Sequence, residues 1–322
     1  SLIADFRFGW FRYKVNVLPS DFGTTPAADA GVPGLNLDDT FASGLPAFFI
    51  GGDSDSRRIA FGSGLGDRVG RCNCPLDQDE QQYQLVGNVT KLAGNHTIKF
   101  GVDVRRAYNL RVPSDRHRSG ELNFENDRTR GPAGGGLALA SFMLGDVTRF
   151  TRYASPTTEA RERQWRHFYY AQDVWRPTQK LTLNYGLRLD IINPQTVNEP
   201  GNGGFLDLST GLINVAGVGD IGLNGNVENT LNWAPRLGMT YQLTEQTVLR
   251  AGYERSYDIG VFGSLFGHSV TQNLPVLSVQ ELNAPQNFES VFNLGQGPSP
   301  PVFPDVPASG QFPLPNGVFA RA

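Results

Sequence analysis

The feature that most constrains this chain is a two-residue period sustained over segments of about ten residues. Ile98, Phe100, Val102 and Val104 are apolar, with Tyr108 in the same phase, and Lys99, Gly101, Asp103 and Arg105 fall between them. Leu181, Leu183, Tyr185, Leu187 and Leu189 alternate with Thr182, Asn184, Gly186, Arg188 and Asp190. Trp233, Leu237, Met239, Tyr241 and Leu243 share a phase, with Arg236, Gly238, Thr240 and Gln242 in the other. Leu249, Ala251 and Tyr253 alternate with Arg250, Gly252 and Glu254. Successive strand side chains point to opposite faces, so each segment is a strand with one apolar face and one face of charge and glycine. Strands of a soluble sandwich alternate too, but they average about 5–6 residues. A tilted strand that crosses a bilayer needs about 9–11.

The connections alternate in length. Short links at 92–96, 176–180 and 244–246 join successive strands, whereas 16–82, 193–232 and 258–322 are long and rich in Gly, Pro, Asn and Asp. Structureless loops of that length are uncommon in compact soluble domains. Short turns on one side and long loops on the other are the pattern of an outer-membrane barrel. An apolar-polar-apolar-Gly-apolar echo recurs at Phe6 to Trp10, Ile98 to Val102, Leu183 to Leu187 and Leu249 to Tyr253. Its glycine lies on the polar face, where a missing side chain leaves room for a plug or for strand coiling. Segments 119–124 and 146–153 also have strand character, and 136–144 that of a short helix. Counting these, the chain holds roughly eight to ten barrel strands, under half of the about 22 in a transporter barrel. The fold class expected is all-β: part of a transmembrane antiparallel β-barrel with long extracellular loops.

Composition excludes other classes. The formal net charge is -3, without the basic excess of a nucleic-acid binder. The longest apolar-rich stretches, 45–50 and 137–144, fall far short of the roughly 18 residues of a membrane helix. With 38 glycines, 21 prolines and 11% aromatics, the chain suits a loop-rich β protein and not a disordered one. It opens on Ser1-Leu2-Ile3 with no signal peptide and ends in a Pro/Gly-rich stretch at 298–322. The expectation is one partial barrel over residues 1–322, an internal piece of a longer protein.

No motif points to catalysis. The four histidines, His96, His117, His167 and His268, are not at metal-ligand spacing, and His96 sits in a turn as a surface histidine. Cys72-Asn73-Cys74 closes a local disulfide in an oxidising compartment, or else carries free thiols or a metal. Gly62 to Gly66 (GSGLG) lacks the strand-to-helix context of a phosphate loop and is taken as a flexible loop. Asp53 to Asp55 and Asp77 to Glu80 do not match a calcium loop and are expected as solvated acidic loops. No catalytic, cofactor or metal residue is assigned. Lys99, Asp103, Arg105, Arg188, Asp190, Arg236, Arg250 and Glu254 are expected to balance charge in a wet lumen, with a substrate path or a plug contact as the alternative. Phe100, Val102, Tyr185, Leu187 and Met239 are expected to face lipid, and Trp165, Tyr169, Trp175 and Trp233 to form interfacial girdles. On this basis Phe100→Asp and Leu187→Asp should block assembly, while Lys99→Ala and Arg188→Ala should be tolerated.

Specific stretches carry a family resemblance. Gly94 to Gly101 (GNHTIKFG), Tyr170 to Pro177 (YAQDVWRP), Leu181 to Arg188 (LTLNYGLR) and Asn232 to Gly238 (NWAPRLG) resemble segments of Oar-like TonB-dependent outer-membrane receptors, most densely between Gly87 and Tyr257. The resemblance implies a bacterial outer-membrane location and a lipid bilayer around the apolar face. It also implies a plug and an N-terminal domain ahead of the barrel, energy from a TonB complex through the plug, and an unidentified transported ligand. Nutrient import, adhesion and protein export are all compatible with it. The alternatives are a surface-exposed all-β binding or adhesion module and an all-β enzyme. The enzyme would need converging carboxylates, for which the sequence offers no pair.

Overall fold

The computed structural model describes residues 1–51, 59–62, 75–112, 118–258, 269–315 and 318–321. The chain runs through β1 (Leu2–Val17), a helical turn α1 (Pro26–Asp29), β2 (Ala47–Ile50) and β3 (Ile59–Phe61). The long hairpin β4 (Leu76–Ala93) and β5 (His96–Val112) follows, then β6 (Glu121–Phe124), α2 (Ala138–Leu144), β7 (Asp146–Val147) and β8 (Arg149–Ala154). A second long hairpin comprises β9 (Arg161–Trp175) and β10 (Leu181–Ile192). Three short strands, β11 (Thr196–Val197), β12 (Gly204–Asp207) and β13 (Leu212–Val215), lead to a third hairpin, β14 (Thr230–Gln242) and β15 (Val248–Glu254). Short strands β16 (Ser278–Asn283), β17 (Phe292–Asn293) and β18 (Gln311–Pro313) complete the order.

Seven long strands form one open antiparallel wall in the order β1-β4-β5-β9-β10-β14-β15, with β11 added beside β9. The three short turns all lie at one end. Residues directly opposite across an antiparallel ladder share a face, so the register fixes both faces. One row runs Phe6–Gly87–Val102–Tyr169–Leu189–Trp233. A row of the opposite face runs Asp5–Asn88–Gly101–Tyr170–Arg188–Ala234. The first face leaves Phe100 53% and Leu237 57% exposed, which suits lipid and not water. The wall therefore has an apolar outside and a polar inside, as the alternation requires.

The outer face is bounded by two aromatic belts. Near the short turns, Trp175 stacks on His96 with centroids 5.5 Å apart. Ten residues up each strand, Trp165 and its register partner Arg106 meet, with the guanidinium 4.7 Å from the ring centroid. At about 3.3 Å per residue that is about 33 Å along the strand. For strands tilted about 35–45°, it is about 25 Å along the membrane normal, the height of a barrel's apolar band.

The sequence is corrected on the other segments. Segments 119–124 and 146–153 are strands, but not wall strands: β6 and β8 belong to a separate five-stranded sheet, β16-β8-β6-β2-β3, in which β2 and β6 run parallel. The long connections are not structureless either. Leu35, Phe49, Leu122, Phe124 and Phe150 are completely buried there, with Phe48 stacked on Phe61 at 4.6 Å. A three-stranded sheet, β12-β13-β18, packs Ile213, Val215, Leu274 and Phe312 together. These caps stand at the end of the wall away from the short turns. The expected helix is α2, closed at Gly145 in a left-handed cap.

Candidate functional site

The inner face of β5, β9, β10 and β14 carries a groove of about 370 Å³. At its centre is Phe168, only 3% exposed, an apolar residue in the polar phase of β9. Two cations stack on its ring: the Arg105 guanidinium at 5.1 Å and that of Arg188 at 4.8 Å from the centroid. Each contact of this kind contributes about 0.5–2 kcal/mol, more when desolvated. Each arginine is also held by an acid two residues away on its own strand. Arg105 pairs with Asp103 at 2.7 Å and Arg188 with Asp190 at 2.5 Å. Strand geometry explains this, because residues i and i+2 share a face. Asp103 and Asp190 flank Phe168 in one register row, so two ion pairs and a ring form a charge-balanced lattice. Gln84 donates a further bond to Asp103 at 2.9 Å.

Around this centre the groove is less fully paired. Arg236 reaches Glu254 at 2.7 Å. Lys99 lines the groove and has no side-chain partner among the described residues. Tyr170 lies across the strand, and its hydroxyl donates to Asn88 Oδ1 at 2.8 Å. Gly101 makes this possible: a methyl group built there would overlap the Tyr170 ring. The space predicted for a plug or for coiling is filled at this position by a tyrosine of the neighbouring strand. Toward the caps, the buried Glu162 accepts from Asn109 Nδ2 at 2.6 Å.

Of the eight charged residues in the polar phase, the structure brings Lys99, Asp103, Arg105, Arg188 and Arg236 to one groove, with Asp190 and Glu254 behind their arginines. Arg250 stands apart on the edge strand β15. His96 is not a simple surface histidine: its Nδ1 lies 2.6 Å from Asp173 Oδ2. His167 stacks on Trp165 at 5.8 Å on the outer face. Asp77 to Glu80 is not a loop but the start of β4, and Asp79 pairs with Arg12 at 2.9 Å. His117, His268, Cys72 to Cys74, Asp53 to Asp55 and most of Gly62 to Gly66 lie outside the described residues. The sequence reading missed Phe168 and Asp173. The available signal was phase: Arg166, Phe168, Tyr170 and Gln172 share one face of β9, and Asp173 falls on the other.

The wall, with its lipid-type outside and charged inside, agrees with the comparisons. Residues 1–321 match the family described as outer membrane beta barrel domain. The chain belongs to that family. An outer-membrane β-barrel protein of this kind resides in the bacterial outer membrane. Among curated proteins, the TonB-dependent transporter Oar of Myxococcus xanthus is 26% identical over 210 residues, covering 59% of this chain and 19% of the relative. The chain thus spans about a fifth of the length of the curated relative it matches. No solved structure matches this family member.

Proposed function

We propose that this chain is a wall segment of a TonB-dependent transporter or receptor of the Oar-like type, and that its role is transport and not catalysis. In this reading it is part of a roughly 22-stranded barrel, with plug, N-terminal domain and closing strands contributed by other parts of the same protein. The observation that carries it is the inner face: paired arginines and acids around Phe168 make a wet, charge-balanced lining next to an apolar outside. The distant relative named as a TonB-dependent transporter supports the same reading. The ligand reaches the groove through the caps, and energy comes from a TonB complex in the periplasm.

The test is capture of the full-length protein by the purified periplasmic domain of TonB, beside a known TonB-dependent receptor. Capture of both supports the proposal. Capture of the control alone removes it. The caps, with their own cores, favour a second reading as a surface-exposed binding or adhesion module, which that result would leave standing.

A further inference from the structure

We propose that Glu162 is a proton-operated latch between the wall and the cap that rests on β11: the cap closes over the protonated acid and loosens when the proton leaves. One register row of the inner face runs Tyr13–Glu80–Asn109–Glu162–Val197. Glu162 and Asn109 are each 2% exposed, and Val197 is completely buried. Glu162 Oε1 accepts from Asn109 Nδ2 at 2.6 Å. Glu162 Oε2 and Asn109 Oδ1 are both buried, with no hydrogen-bond partner among the described residues. A carboxylate and an amide oxygen are both acceptors, so the ionised pair leaves two buried oxygens without a donor, which is destabilising. One proton on Oε2 removes both deficits. The acid then donates to Asn109 Oδ1 while Oε1 keeps its bond from Nδ2, and the two groups close a cyclic acid–amide pair.

The surroundings favour the neutral acid. Glu162 lies three residues beyond Trp165, on the cap side of the upper belt and outside the apolar band. Its register partner Val197 packs with Phe205, Ala216, Val270 and Leu223, which bring no charge. The titratable groups on the same face are Tyr13 of β1, Glu80 of β4, Arg111 of β5 and Arg166 of β9. Arg111 also donates to Gln78 at 3.4 Å. Burial pushes the Glu162 carboxyl up to about 8; the Asn109 bond opposes the rise, Glu80 adds to it and Arg111 opposes it. Ionisation therefore calls for water at Oε2, and the thinnest cover over it is β11. That strand meets β9 at two register pairs, Thr196 with Arg163 and Val197 with Glu162. Val197 N donates to Leu223 O at 3.0 Å, so β11 is tied to the cap, and admitting water beneath it moves the cap. The latch depends on this joint between cap and wall and not on transport.

The test is hydrogen exchange of the full-length protein in lipid vesicles, read by mass spectrometry over residues 196–223 and corrected for the intrinsic pH dependence of exchange. Because the folded value is raised, closure of the cap is fully favoured below the ordinary carboxyl range and weakens as pH rises toward about 8. Protection of the cap should therefore fall by up to about tenfold per pH unit between about pH 5 and about pH 8, then level off. Glu162→Gln keeps an acceptor for Asn109 and supplies the donor without a titrating proton, so its protection should stay high and flat. In the wild type, the infrared carbonyl band of a protonated carboxyl should be present at about pH 7 and gone at about pH 9. This arm decides the matter if the glutamine variant fails to fold. Protection of the wild-type cap that is independent of pH, an equal pH slope in the folded glutamine variant, or absence of that band overturns the proposal.

Discussion

His96 and Asp173 join two hairpins at the end of the wall that carries the short turns, with His96 Nδ1 2.6 Å from Asp173 Oδ2. His96 begins β5 and Asp173 lies two residues before the end of β9. The Tyr185 hydroxyl of β10 donates to the same oxygen at 2.8 Å, so one carboxylate ties three strands. Asp173→Asn should weaken both bonds and cost about 1.5–3 kcal/mol, the range for hydrogen bonds to a charged group. Tyr185→Phe should cost less. Loss of heat-resistant gel mobility at lower temperature, in the full-length protein, is the readout. Unchanged resistance of the Asp173 variant would remove its structural role.

The two faces should respond oppositely to charge. Phe100→Asp or Leu187→Asp places a carboxylate against lipid, at a cost of up to about 2–4 kcal/mol near the midplane. Folded protein in the outer membrane should fall sharply. Lys99→Ala should leave assembly unchanged, since Lys99 holds no side-chain partner among the described residues. Arg188→Ala should not share that tolerance, contrary to the sequence-based expectation. It strips Asp190, 2% exposed, of its ion pair, and Phe168 of one stacked cation. Equal recovery of Lys99→Ala and Arg188→Ala in outer-membrane fractions would show the lattice to be unimportant.

Gly101 and Tyr170 should be coupled. Gly101→Ala forces the ring off the strand and should cost about 1–3 kcal/mol, as overpacking does. Tyr170→Ala opens the space, so the double variant should regain part of the loss. A double-mutant cycle on thermal unfolding measures the coupling; strict additivity would mean that the ring has other places to go.

Arg152 tests the caps. It is completely buried, donates from Nε to Gln280 Oε1 at 2.7 Å and to the carbonyl oxygens of Gly34 and Ser299. Burial pushes its guanidinium down to about 10. Arg152→Met should leave those acceptors unpaired, cost about 1–3 kcal/mol and speed proteolysis of the caps on intact cells while the wall stays protected. The folded pKa lies below the unfolded one, so the cost of burying this charge is constant at low pH. It is relieved only as pH rises through about 10 toward the ordinary guanidinium value, and Arg152 should add no pH dependence between about pH 6 and 9. A pH-dependent difference in cap cleavage between wild type and Arg152→Met in that window would contradict this account.

The wall was legible where one face meets lipid and the other water, as in β5, β10, β14 and β15. The same physics hid its ends. β4 begins at Leu76 and not near Tyr83, because from Asp77 to Gln82 both faces are polar and the period vanishes. β9 likewise extends back to Arg161. Cap sheets were illegible because their partners are remote: β2 pairs with β6 across more than seventy residues, and four-residue strands carry no measurable period. At the site, the charged phase was visible, but the role of Phe168 was not, since an aromatic in a polar phase has no sequence mark of the cations that cover it.

The ten-residue interval between the two belts works as a length gauge. Trp165 and Trp175 are anchored at opposite headgroup levels, so the wall is matched to one thickness of hydrocarbon. A bilayer thicker or thinner by several ångströms would have to deform or tilt the strands, at a cost of fractions of a kcal/mol per Å. Deleting two residues from each wall strand, say at Phe100 to Gly101 on β5, would preserve which side chains face out and shorten the span by about 5 Å along the normal. Such a protein should insert more readily into short-chain lipid vesicles than the natural one, and more slowly into long-chain vesicles.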